Sequence, residues 1–292
     1  MSYHSLIDKV STSIGSLFVA KYFRNGLETV SLKEHLKSCE IKNISEIQGA
    51  GDYEIKALTL AGELTGLFRV ANWKGNKYPT IVYHHGASEI PFDYGFKKIF
   101  SFKKQDFDVN LILIQAPFHA SRKDFKNGMT TLNNFIAMIA VSIRVIEELF
   151  NQLNKKSDQP IIVSGTSLGG YITNFHHIYF NKKEIIYVPL LAGVNIFDTL
   201  FNSIYSKGVN MPDSKTKKEL SKLLNFTEEF ASVNNSNVYP LLGIYDQLVR
   251  YKVQKESYGS CPVSNIQKGH FTGSLAAKKL REHILSCTNL DF

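Results

Sequence analysis

The stretch IIVSGTSLGGYIT, residues 161–173, sets one serine between two glycines at the point where an apolar run gives way to a helix-like pattern. Glycine stands where a backbone turns sharply or is approached closely. Gly165-Thr166-Ser167-Leu168-Gly169 fits G-x-S-x-G, in which the serine occupies a tight strand-to-helix turn and its neighbours two residues away must be small. A hydroxyl held there stands at a helix N-terminus, where developing negative charge is favoured. The chemistry on offer is nucleophilic attack. The bland alternative is a serine helix cap beside a glycine-rich turn.

A serine hydroxyl is a weak nucleophile until a base takes its proton. Of nine histidines, His270 in QKGHFTGS lies in a loop after the last candidate strand and before the last helix, which makes it the candidate base. Asp246, in GIYDQLV, ends another apolar run and is the candidate acid that would orient the imidazole. Asp198 is the rival acid, read instead as a helix cap. An acyl intermediate also needs two preorganised N–H donors for its oxyanion. One would come from Leu168, the residue after the serine. The second would come from HHGAS, 84–88, with Ala87 as the donor and Gly86 as the fallback. His85, His119 in QAPFHAS, and Phe201 are candidates for touching substrate. Arg122 lies nearby without an assigned role. His176 and His177 fall on the helix after Ser167 and read as packing residues.

These residues need elements to hold them. PTIVYHHG (79–86), VNLILIQAP (109–117), PIIVSG (160–165), IIYVPLLAG (185–193) and VYPLLGIYD (238–246) are short apolar runs, and CPVSNIQKGH (261–270) is a weaker one. Residues 53–72 alternate around Gly62 as a hairpin would. Between the second and third runs, Leu132, Phe135, Ile136, Ile139, Ile143, Ile146, Leu149, Phe150 and Leu153 recur at helical spacing. Residues 274–287 also read as a helix. Buried strands alternating with helices predict an α/β protein, a mostly parallel sheet with helices on both faces. Residues 194–236 break the rhythm. The stripe Phe197, Leu200, Phe201, Ile204, Tyr205 and the shorter set Leu220, Leu223, Leu224 suggest an inserted helical cap. The predicted division is a helical N-terminal extension (1–50), a core in two pieces (51–193 and 237–292) and the cap (194–236).

The chain has 292 residues, 43% of them hydrophobic and 21% charged, enough for a large core and unlike a disordered composition. Its formal net charge of +8 comes from scattered lysines, with short runs at Lys97-Lys98, Lys103-Lys104 and Lys215-Lys217-Lys218. These read as solvated faces, not as a nucleic-acid surface, which would cluster Arg and Lys with aromatics. Three cysteines, Cys39, Cys261 and Cys287, lie far apart without zinc-ligand spacing, so no metal is expected and a reducing, cytoplasmic location is. No signal peptide and no membrane span is read.

HHGA after an early strand, GTSLGG at the turn, and YDQLV followed by GHF together resemble the α/β-hydrolase superfamily, of the serine esterase and lipase type, over roughly residues 75–287. The resemblance implies a mostly parallel sheet flanked by helices and no cofactor. It implies a Ser167–His270–Asp246 triad cleaving carboxylic esters of a small-molecule acyl substrate through an acyl-enzyme, and the apolar stripe of the insert points to a hydrophobic one. Peptidase, thioesterase or acyltransferase chemistry uses the same constellation, and a non-catalytic binding protein can share the fold.

Overall fold

Two kinds of strand, told apart by burial, build one sheet. The computed structural model describes residues 2–18, 21–101 and 107–287, with the side chains of 14–18 excepted; Lys103 and Lys104 lie outside the described residues. Helices α1 (Tyr3–Phe18) and α2 (Leu32–Ser38) precede β1 (Glu40–Ile44), β2 (Gly51–Thr59) and β3 (Gly62–Asn72). β2 and β3 form the hairpin predicted around Gly62, which takes a φ of 93° that suits glycine. Their residues alternate between buried and exposed, as strands with one wet face must. β4 (Thr80–His84), α3 (Tyr94–Ile99), β5 (Asn110–Gln115), α4 (Arg122–Gly128), α5 (Leu132–Asn154) and β6 (Ile161–Thr166) follow. All residues of β4, β5 and β6 are buried, the mark of strands covered on both faces.

The remaining elements are α6 (Leu168–Phe180), β7 (Ile185–Leu190), α7 (Ile196–Phe201), a 3₁₀ turn (Ile204–Gly208), α8 (Ser214–Leu223), α9 (Thr227–Ala231), β8 (Leu241–Gly243), α10 (Tyr251–Ser257), β9 (Ser264–Ile266), α11 (His270–Ser274) and α12 (Ala277–Ser286). The nine strands lie in the order β1-β2-β3-β5-β4-β6-β7-β8-β9. The first three pairings are antiparallel and the other five are parallel. All nine apolar positions read along α5 are buried, and Thr131 caps its start by accepting from the Asn134 N–H. Among the described residues no helix is long and apolar enough to cross a membrane.

One reading needed changing. Residues 1–50 contain a strand as well as helices. β1 (EIKNI) is an edge strand with no fully buried residue, so it lacks the alternation that would reveal it. The stripe on α7 faces the interior of the molecule. Phe197, Leu200 and Phe201 belong to the main core, with the Phe197 and Phe201 rings 5.4 Å apart.

Candidate active site

Register places the site. His84, the last residue of β4, is level with Gly165 of β6, so the loop after β4 and the turn after β6 emerge side by side. In that turn Ser167 adopts φ 59° and ψ −114°, a left-handed conformation that costs a non-glycine residue energy and persists only where its surroundings enforce it. The flanking glycines show how. A Cβ on Gly165 would come within 2.6 Å of the Gly169 carbonyl carbon, and one on Gly169 would collide with the His84 carbonyl oxygen. The Ser167 N–H donates to Leu190 O at 2.8 Å, and Ser167 O accepts from the Tyr171 N–H of α6 at 3.0 Å.

The structure brings Ser167, His270 and Asp246 together. Ser167 Oγ lies 2.9 Å from His270 Nε2, and His270 Nδ1 lies 2.7 Å from Asp246 Oδ2. A carboxylate can only accept, so Nδ1 carries the proton and Nε2 is left to accept from the serine. The other oxygen of Asp246, Oδ1, accepts from the Leu248 and Val249 N–H groups at 2.8 and 2.7 Å, which fixes the carboxylate plane. Asp246 and His270 are both buried. Burial works against the imidazolium, but the Asp246 charge and hydrogen bond, with the Asp8 charge behind them, raise the His270 pKa above its ordinary value. The rival acid Asp198 is taken: it is buried and ion-paired with Arg250.

The loop after β4 is held by three histidines. His84 Nδ1 meets His85 O at 2.9 Å, His85 Nδ1 meets Gly86 O at 2.7 Å, and His119 Nε2 meets Ala87 O at 2.9 Å. His85 Nε2 accepts from the Ala116 N–H at 3.0 Å, so its Nδ1 must be the protonated nitrogen that donates to Gly86 O. In a trans peptide the N–H points opposite to the C=O. The Ala87 N–H therefore faces away from the ring that holds Gly86 O. Among the described residues neither it nor the Leu168 N–H has an internal acceptor. The fallback donor does not serve, because the Gly86 N–H is bonded to Glu89 Oε1 at 3.1 Å. Burial pushes His84 down to about 3 and also lowers His85 and His119, which favours neutral rings; a neutral His119 has one N–H to share between Ala87 O and Pro117 O, each 2.9 Å from a ring nitrogen.

A cleft of about 690 Å³ opens onto Ser167 and His270 and is lined by Gly86 and Ala87. Its apolar wall includes Ile90, Pro91, Phe125, Leu248, Phe271 and Leu275, while Lys98 and Arg122 stand at its edge. Three predicted substrate contacts are corrected. His85, His119 and Phe201 are buried and do not line the cleft; the two histidines hold backbone carbonyls behind it, and Phe201 is core. What sequence reasoning missed is α1, which contributes Ser11 and Thr12 to the cleft and Asp8 to the loops behind it. Ser5, Asp8 and Thr12 share one helical face. That stripe is a signal, but in sequence alone it looks like any solvated face. Among the described residues no three or more His, Cys, Asp or Glu side chains cluster as a metal would require.

No family model matches the sequence. No curated protein matches it either. Solved structures do. Acetyl xylan esterase 1 from Thermoanaerobacterium sp. JW/SL YS485 superposes with a TM-score of 0.52 at 13% identity, over 94% of this chain and 93% of that one. Est1E from Butyrivibrio proteoclasticus gives 0.50 at 14% identity, over 86% and 98%. The acylaminoacyl peptidase of Pyrococcus horikoshii gives 0.51 at 15% identity, over 82% of this chain but only 41% of that one. At such identities the likeness speaks for architecture: the chain has the α/β-hydrolase fold.

Proposed function

We propose that this protein is a serine hydrolase that cleaves carboxylic esters through an acyl-enzyme. The observation that carries the reading is the continuous chain from Ser167 Oγ to His270 Nε2 at 2.9 Å and from His270 Nδ1 to Asp246 at 2.7 Å, at the floor of an open cleft. Ser167 Oγ attacks the ester carbonyl carbon while Nε2 takes its proton. The carbonyl oxygen gains negative charge between the Leu168 and Ala87 N–H groups. As the C–O bond breaks, the imidazolium returns the proton to the departing alcohol. Water then repeats the sequence on the acyl-enzyme and releases the carboxylic acid and free serine. Asp246 keeps the imidazole in the required tautomer and stabilises its charged form. Two of the similar structures are esterases by name, which supports an ester over an amide substrate. Phe201 lies in the core, so the support for an apolar acyl group is the wall formed by Ile90, Phe125 and Phe271, with Tyr205 of the same stripe among the residues lining the cleft. The unpaired thiols of Cys39, Cys261 and Cys287 support a reducing, cytoplasmic setting.

The test is labelling with a fluorophosphonate alongside hydrolysis of a matched pair of an aryl ester and an aryl amide. The wild-type chain should be modified at Ser167 and should prefer the ester. Ser167→Ala should remain folded, take no label and lose turnover by on the order of 10⁶-fold. A folded wild-type chain that takes no label would end the reading, and faster cleavage of the amide would turn it toward a peptidase.

A further inference from the structure

Asp8 is wholly buried, yet it sits on α1, far in sequence from the other residues of the site. Its carboxylate accepts three backbone hydrogen bonds. Oδ2 takes the N–H of Gln247 at 3.1 Å and the N–H of His270 at 2.8 Å, and Oδ1 takes the N–H of Phe271 at 3.1 Å. Gln247 directly follows Asp246, so one side chain ties the loop carrying the acid to the loop carrying the base. The fit is tight: a Cβ on Gly269, the residue before His270, would come within 2.6 Å of Asp8 Oδ2. One turn earlier, Ser5 Oγ donates to Tyr245 O at 3.1 Å, and the His4 ring stacks on the Tyr245 ring with centroids 5.9 Å apart. One turn later, Ser11 and Thr12 line the cleft.

We propose that Asp8 is a positioning residue, and that α1 is a clasp that sets the distance between the Asp246 and His270 loops and closes one side of the substrate cleft. The part that concerns turnover rests on the serine-hydrolase reading above. The physical case has two parts. His270 and Phe271 open α11, where N–H groups have no partner within the helix, and Gly269 has no side chain to cap them. Without Asp8 these donors would be buried and unpaired, and the loop would relax to find other partners. Catalysis is sensitive to such shifts, since a misplacement of about 1 Å can lower a rate by on the order of 100-fold.

The test uses the full chain with Asp8→Ala, Asp8→Asn and, as a control on the outer face of the same helix, Leu6→Ala. Hydrogen–deuterium exchange is followed over residues 245–250 and 268–274, and kcat and KM are measured on an aryl ester. Asp8→Ala should speed exchange in both segments together and lower kcat by roughly tenfold to a hundredfold, with KM little changed. Asp8→Asn keeps the shape but sets an amide NH₂ against a backbone donor, so it should fall between Asp8→Ala and wild type. Leu6→Ala should match wild type. If Asp8→Ala fails to fold, Asp8→Asn and Gly269→Ala carry the same comparison. Wild-type exchange in both segments of a folded Asp8 variant, or wild-type kcat, overturns the proposal. If the wild-type chain takes no fluorophosphonate, the hydrolase reading fails, while exchange still decides whether Asp8 ties the two loops.

Discussion

At the residue scale the site is a set of acceptors and donors whose roles are forced by their partners. In the proposed reaction His270 must be neutral at Nε2 to receive the serine proton, and despite burial Asp246 with Asp8 raises its pKa above the ordinary value near 6.5. Activity should therefore rise with pH along one ionisation whose midpoint lies above 6.5, and a kcat/KM profile from pH 5 to 9 will show it. Asp246→Asn removes the nearest negative charge and the tautomer lock. It should move that midpoint down and lower turnover by on the order of 10⁴-fold, as the same change does in a serine protease. A flat profile across that range would remove His270 as the base. His85 offers a second, independent check. It holds Gly86 O and through it aims the Ala87 N–H, but it does not touch the cleft. His85→Ala should therefore lower kcat, by up to the roughly 10²- to 10³-fold lost with an oxyanion donor, and leave KM nearly unchanged. A raised KM with normal kcat would instead mean that the histidine binds substrate.

At the element scale, the parallel strands deliver the site and the inserted helices cover the core beside it. Phe201 lies in the main core against Phe197, so Phe201→Ala should cost about 3–5 kcal/mol of stability and leave the preference among esters of different acyl length unchanged. Denaturant unfolding and an ester series measure the two effects, and a changed preference with normal stability would return Phe201 to the cleft. Much of this level was legible in the sequence. The β4, β5, β6 and β7 runs are apolar and short because both of their faces are covered, and the glycine-flanked serine marks the turn because no other residue type fits within 3 Å of the neighbouring backbone. Asp246 and His270 were legible because each follows a strand on the same edge of the sheet. The direction of the α7 stripe was not legible, since an apolar helical face reads alike whether it covers a ligand or a core. The reach of Asp8 was not legible either. It depends on a contact across 262 residues that no local pattern records.

At the scale of the whole molecule, the distribution of buried histidine sets the response to acid. His35, His84, His85, His119, His176 and His177 are all buried, and burial lowers the pKa of each. In the unfolded chain each would titrate near 6.5, so between that value and its lower folded value unfolding takes up a proton. The sign follows: the stability these residues contribute is complete above pH 6.5 and is lost as pH falls toward their folded pKa values. Each histidine still neutral in the fold contributes a slope of up to about 1.4 kcal/mol per pH unit. His270 works the other way. Its pKa is raised, so its contribution is complete below pH 6.5 and is lost as pH rises through the folded value. Six against one, the depressed group decides the direction. Two such histidines alone would remove about 3 kcal/mol per pH unit, a large part of a usual total of about 5–15 kcal/mol. The urea midpoint should therefore drop steeply between pH 7 and pH 5, before most carboxylates titrate, and the Ser167→Ala chain should drop with it because the effect does not pass through Ser167. Equal midpoints at pH 7 and pH 5 would mean that these rings are charged inside the fold, and the acceptor role of His85 Nε2 toward the Ala116 N–H would have to be given up.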